Sequence, residues 1–175
     1  MVAASPADLH LMDSLLPDGC KLVHLMDSLL PDGCKLGESS MNADILQEFA
    51  ARYTAAWNSQ NAANVSAFFA EDGTLSVNGV PAVGREAITE VARGFMTAFP
   101  DLELAMDKLE IQPDHSIYYW TFTGTNTGPE GTGNSVRFSG YEEWTLGNDG
   151  LIVQSMGHFD DEEYQQQLEQ GFQAY

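Results

Sequence analysis

Two rhythms of apolar residues run along the chain, a helical one first and an alternating one later. From Asp44 onward, Ile45, Phe49, Tyr53 and Trp57 recur at every fourth position, which predicts a helix ending near Ser59 with one apolar stripe. Asp44 followed by Gln47 is suited to a capping box at its start. A second, short helix is predicted from about Asn61 to Phe69, burying Val65, Phe68 and Phe69. Glu71-Asp72-Gly73 breaks it, and Thr74 to Val77 reads as a short strand. A third helix, about Arg85 to Phe99, carries Ile88, Val91, Ala92, Phe95, Met96 and Phe99 in near-ideal spacing, and Pro100 stops it.

Beyond Pro100 the period falls to two. Leu102 to Gln112 is a strand with the least regular alternation. In Ile117 to Asn126, Tyr118, Trp120 and Phe122 alternate with Tyr119, Thr121 and Thr123. The glycine-rich loop Gly128 to Asn134 is no phosphate cradle, because no helix start follows it. Ser135 to Phe159 reads as one β-hairpin around Gly147-Asn148-Asp149-Gly150, whose residues suit positive φ angles. Closure there pairs Leu146 with Leu151, Trp144 with Val153, Glu142 with Ser155, Gly140 with Gly157 and Phe138 with Phe159. Asp160 and Glu163 then start a closing helix that runs to about Phe172. Helices first and strands later make the fold class α+β.

The hairpin also supplies the candidate chemistry. Phe138, Gly140, Glu142, Trp144 and Leu146 share the apolar face, so one carboxylate lies near the middle of a buried surface. Such a group finds partners or titrates abnormally. No Lys or Arg is foreseeable on that face, so burial should raise the Glu142 pKa. Glycine at 140 and 157 suggests open space beside it. By itself, Tyr53 also fits a core tyrosine with a satisfied hydroxyl, and Glu142 a structural carboxyl held by Ser155 or a buried water. No His, Asp and Glu cluster on one face with metal-ligand spacing, so no metal is expected.

Composition narrows the partners. Of 175 residues, 26 are acidic and 7 basic, a net charge of −19 that disfavours nucleic acid and anionic membrane surfaces. No apolar run approaches a membrane span and no signal-peptide pattern opens the chain, so a cytoplasmic protein is expected. Residues 1–40 stand apart: His10 to Leu22 reads HLMDSLLPDGCKL, and His24 to Leu36 repeats it letter for letter. Natural repeats diverge, so identity points to recent duplication or to an added leader. Cys20 and Cys34 lie in these copies and say nothing about the folded domain. Met41 is a plausible start of a single domain, 41–175. Nothing in the leader offers an apolar face to the later helices, so its removal is expected to leave the fold intact.

The stretch RYTAAWNSQNAANVSAFFAEDGTLSVNG, Arg52 to Gly79, resembles the opening of the cone-shaped α+β barrels. These include ketosteroid isomerase, SnoaL-like polyketide cyclases, limonene epoxide hydrolase and nuclear-transport-factor-like proteins. The ending DGLIVQSMGHFDDEEYQQQLEQG is similar to SnoaL-like endings. The resemblance implies a curved antiparallel sheet wrapped around three N-terminal helices, with a deep pocket between them. It places an oxyanion-hole tyrosine on Tyr53 and a protonated acid donor on Glu142, while the general base falls on Val77, which takes no proton. The strand aspartate of the epoxide hydrolase relatives falls on Gly157, and the cyclase acid/base aspartate falls on Met156 or Gly157. The cyclase histidine falls on Asn126.

The expected ligand is a small apolar or carbonyl-containing molecule. Trp57, Met96, Tyr118, Trp120, Phe122, Trp144, Ser155 and Phe159 are expected around it or in the core. Isomerase, cyclase or hydratase chemistry without a cofactor, a non-catalytic binding or dimerisation module, and epoxide hydrolysis all remain open. A homodimer is expected through the outer sheet face of Tyr119, Thr121, Thr123, Ile152, Met156 and His158.

Overall fold

The computed structural model describes residues 38–174. The two leader repeats, with His10, Cys20, His24 and Cys34, lie outside the described residues. Helix α1 spans Glu38–Asn58 and buries Phe49, Tyr53 and Trp57. It begins upstream of Asp44, so the expected capping box gives way to helix interior. Ile45 is also corrected, at 63% exposed. A four-residue step overshoots the helical repeat by about 40°, so Ile45 lies about 120° around the helix from Trp57. Leu46 falls near the stripe instead and packs on the core.

Helix α2 is shorter than expected, Ala62–Ser66, with the Asn61 side chain accepting from the Ala63 N–H at its start. Phe69 opens strand β1 (Phe69–Val77) rather than closing that helix. The expected break at Glu71-Asp72-Gly73 becomes an irregularity within the strand, where its register with the neighbouring strand shifts between Phe69 and Thr74. Strand β2 (Val80–Val83) is absent from the pattern reading. It folds back on β1 through Asn78 and Gly79, with φ of 47° and 83°. Asn-Gly favours that tight turn because both residues tolerate positive φ.

Helix α3 (Gly84–Ala98) follows, then β3 (Glu103–Ile111), β4 (Ser116–Thr125), β5 (Ser135–Leu146), β6 (Ile152–Phe159) and α4 (Asp161–Gln170). The Asp160 carboxylate caps α4 by accepting the Glu163 N–H at 3.0 Å. The six strands form one sheet in the order β2-β1-β6-β5-β4-β3. It is mixed rather than wholly antiparallel, because β1 and β6 run parallel. The result is an α+β fold with four helices among the described residues, three of which precede β3. The buried side chains of α1 and α3 form one core cluster with Tyr118, Trp120, Phe122, Phe138 and Trp144 of the sheet.

The hairpin register differs from the expected one by two residues. Gly140 pairs with Phe159, Glu142 with Gly157 and Trp144 with Ser155, while Leu146 meets Ile152 after a shift. The turn is longer, closed by the Gly147 N–H donating to the Leu151 carbonyl at 2.8 Å. A bulge at Val153 adds the second residue, leaving Val153 and Gln154 both exposed in succession. A slip of two preserves sidedness, so Glu142 remains inside. The bulge reverses sidedness only near the turn: Ile152 is fully buried instead of lying on the outer face, and Val153 is 38% exposed.

Candidate functional site

Glu142 and Trp144 project from the same face of β5, two residues apart. Ser155 sits across from Trp144 on β6, and α1 brings Tyr53 onto the same spot from above the sheet. Three side chains therefore donate to one buried carboxyl. The Ser155 hydroxyl reaches Oε2 at 2.7 Å, the Trp144 indole N–H at 2.9 Å and the Tyr53 hydroxyl at 3.1 Å. Oε1 has only the longer Tyr53 contact, at 3.3 Å. The indole can only donate, so a proton on this carboxyl belongs on Oε1.

Burial pushes the Glu142 carboxyl above its usual range of about 4.5, and hydrogen bonds from Trp144, Ser155 and Tyr53 oppose the rise. Burial, reinforced by the nearby Glu142 charge, holds the Tyr53 hydroxyl well above its ordinary range. Tyr53 is therefore a neutral phenol whose proton is committed to Glu142. Tyr118, opposite Glu142 on β4, stacks on Trp144 with ring centroids 4.7 Å apart and planes 14° from parallel. Its hydroxyl shares a 2.6 Å hydrogen bond with Thr54. These contacts fix the indole that holds the carboxyl.

Beside this cluster lies a cavity of about 50 Å³, walled by Trp57, Phe95, Leu104, Trp120, Phe122, Phe138, Phe159, Leu75, Val77, Gly157 and one edge of Glu142. At roughly 10–15 Å³ for each water centre, it has room for about three to five waters, or one small organic molecule in their place. Of the expected site residues, Trp57, Trp120, Phe122, Glu142 and Phe159 reach this wall. Tyr53, Trp144 and Ser155 instead lie behind Glu142 as its hydrogen-bond partners, and Tyr118 lies behind Trp144. Met96 is buried in α3 but is not part of the wall; its neighbour Phe95 is. Adjacent helix positions differ by 100°, and a stripe containing both could not say which one faces the cavity. Leu75, Leu104 and Phe138 also line it without having been singled out, although alternation on their strands marks all three as inward.

The expectation of open space is corrected at Gly140 and only partly met at Gly157. A Cβ at Gly157 would press on the Ser76 carbonyl at 3.1 Å before meeting the Glu142 Cγ at 3.7 Å, although the glycine itself lines the cavity described above. At Gly140 the space is taken: a Cβ would come within 2.5 Å of the Trp120 ring and also collide with the His158 carbonyl. Glycine is needed there so that the Trp120 indole can lie over the β5 backbone. Gly140→Ala should therefore cost about 1–3 kcal/mol in a urea melt, through overpacking against a rigid strand. An unchanged melt would mean that both the Trp120 indole and the His158 carbonyl can give way.

Among the described residues, no three His, Cys, Asp or Glu side chains converge as metal ligands, and no helix is long and apolar enough to cross a membrane. His158 faces away from Glu142, across from Tyr141 and 3.8 Å from the Glu143 carboxylate.

A search of curated protein sequences finds no match. Solved structures show the same fold. A hypothetical protein with a ketosteroid isomerase-like fold from Catenulispora acidiphila, in complex with trimethylamine, aligns over 65% of this chain and 86% of its own. That alignment has 18% identity and a TM-score of 0.58. The epoxide hydrolase/cyclase-like enzyme SalBIII of salinomycin pyran ring formation aligns over 70% and 95%, with 17% identity and a TM-score of 0.61. A candidate SnoaL-like polyketide cyclase from Jannaschia sp. aligns over 72% and 92%, with 14% identity and a TM-score of 0.60. The SnoaL-like domain model matches residues 50–155, from α1 through Ser155 on β6, and the chain belongs to the SnoaL-like domain family.

Proposed function

We propose that this protein binds a small, largely apolar or carbonyl-containing molecule in the cavity beside Glu142, which exchanges a proton with it. The observation that carries the reading is a buried carboxyl with three donors and no cationic partner at the edge of an apolar cavity. Such a site keeps an acid easily protonated and brings it against a ligand without bulk water. Among the described residues, Glu142 is the only ionisable one in that wall. The chemistry it supports is a single proton transfer to or from the ligand, as in isomerisation, cyclisation or hydration, with no cofactor. Epoxide hydrolysis finds less support, since no second carboxylate lines the wall to activate a water.

Val77 in the wall, where the resemblance places a base, favours a second reading in which the ligand is held without being transformed. Both readings share one test. Small molecules released on denaturing protein purified without added ligand are identified by mass spectrometry. Wild type and Glu142→Gln should release the same species, because an amide still donates a hydrogen bond, and Glu142→Leu should release none. Equal release from Glu142→Leu, or nothing from wild type, counts against the site.

The outer sheet face supports a homodimer in the same proposal. Tyr141 and Met156 are both 37% exposed, and Tyr141 packs beside Tyr119 and His158. An exposed aromatic patch of this kind gains by being covered. Sedimentation should give a dimer at micromolar concentration. Tyr141→Glu should shift it to monomer, because the new carboxylate would be buried against a like surface.

A further inference from the structure

The molecule has three indole N–H groups, and the fold treats them differently. That of Trp144 is paired with Glu142 at 2.9 Å. Those of Trp57 and Trp120 have no hydrogen-bond partner among the described residues, although the two side chains are only 8% and 7% exposed. Both rings line the cavity beside Glu142. The Trp57 N–H lies near enough to the Tyr53 hydroxyl to influence it but does not reach hydrogen-bond geometry. Leaving a buried donor without an acceptor costs about 1–3 kcal/mol. Phenylalanine would supply similar apolar wall without that cost, as it does at positions 95, 122, 138 and 159 of the same cavity. Neither nitrogen is open to the cavity as it stands, so an acceptor that arrives with the ligand would meet the two donors through a small rotation of rings already in its wall.

We propose that Trp57 and Trp120 are the hydrogen-bond donors that hold an acceptor oxygen of an uncharged ligand, such as a ketone, in this cavity. The proposal deepens the small-molecule reading above and rests on it. Tyr53 does not fill this role, because its proton is committed to Glu142 and its ring lies outside the wall. A cation would find donors where it needs acceptors. An anion would lie beside the Glu142 carboxyl with no positive side chain in the wall, in a chain of net charge −19. A neutral molecule with an acceptor oxygen matches both the donors and the apolar lining.

The presence of only three tryptophans makes the test direct. In ¹⁵N-labelled protein, three indole N–H signals are assigned by single Trp→Phe variants and cross-checked by Overhauser contacts to Leu75, Leu104 and Tyr118. The probe is cyclopentanone, with methylenecyclopentane as a control of nearly the same shape and no acceptor oxygen. Cyclopentanone should move the Trp57 and Trp120 signals downfield, saturably, and leave Trp144 in place. The control should perturb only the Leu75 and Leu104 methyls. Trp120→Phe should weaken cyclopentanone roughly tenfold and leave the control unchanged, as expected for one lost hydrogen bond. If cyclopentanone moves the two leucine methyls while both indole signals stay still, the donors are elsewhere and this proposal falls, with the small-molecule reading intact. If neither compound moves any signal in the wall, both fall.

Discussion

Between about pH 4.5 and neutrality, Glu142→Gln should lose markedly less stability with rising pH than the wild type. Burial raises the Glu142 carboxyl above its unfolded value of about 4.5. In that window the folded protein therefore holds a proton that the unfolded chain has released. Unfolding free energy then falls as pH rises, by up to about 1.4 kcal/mol per pH unit while the group titrates, because the native state binds more protons. The contribution is fully present below 4.5 and is lost as pH passes upward through the raised value. Glutamine fits the same space and does not titrate. Wild type also becomes more anionic over this range, and self-repulsion bends its curve the same way. The decisive readout is therefore the difference between the two proteins in urea melts across pH. Parallel curves would mean that Glu142 stays charged in the fold, held by its three donors, and that proton exchange with a ligand is the wrong reading.

What the sequence made legible follows from which interactions are local. The i+4 stripe of Phe49, Tyr53 and Trp57 and the alternation of Tyr118, Trp120 and Phe122 report periodicity, and all six side chains are buried. Periodicity also placed Glu142 inside, and that survived a two-residue error in hairpin register because sidedness depends only on parity. Register depended on a bulge at Val153 that no local residue signals. The parallel pairing of β1 with β6 joins segments some eighty residues apart, and nothing local encodes it. Strand β2 was legible in principle: Asn78-Gly79 is a strong hairpin signal, masked here by Pro81 and by a strand of only four residues. At the site, pattern could name the inward positions but could not divide them into cavity wall and carboxyl support. That division depends on which aromatic ring fills which space, as the Trp120 indole over Gly140 illustrates.

Trp144 is where packing and site chemistry meet most closely, and its loss should be the most damaging single change. The ring is fully buried, stacked on Tyr118 and edge-on to Tyr53 and Phe49 at 5.0 and 5.8 Å. Trp144→Ala should cost about 3–5 kcal/mol from lost packing and the cavity left behind. That is a large share of the stability of a domain this size, roughly 5–15 kcal/mol in all. Trp144→Phe separates two contributions, since it keeps an aromatic ring against Tyr118 but removes the N–H that Glu142 accepts at 2.9 Å. The carboxyl would then keep Ser155 and Tyr53 as donors, and its pKa should rise further. If the indole N–H matters chiefly through Glu142, the cost of Trp144→Phe should shrink by about 1–2 kcal/mol in a Glu142→Leu background, where no acceptor remains. Chemical denaturation of the four proteins in this double-mutant cycle measures the coupling. Additivity within about 0.5 kcal/mol would make Trp144 a packing residue alone. Glu142 would then be held by the two hydroxyls that can reorient as it gains or loses a proton.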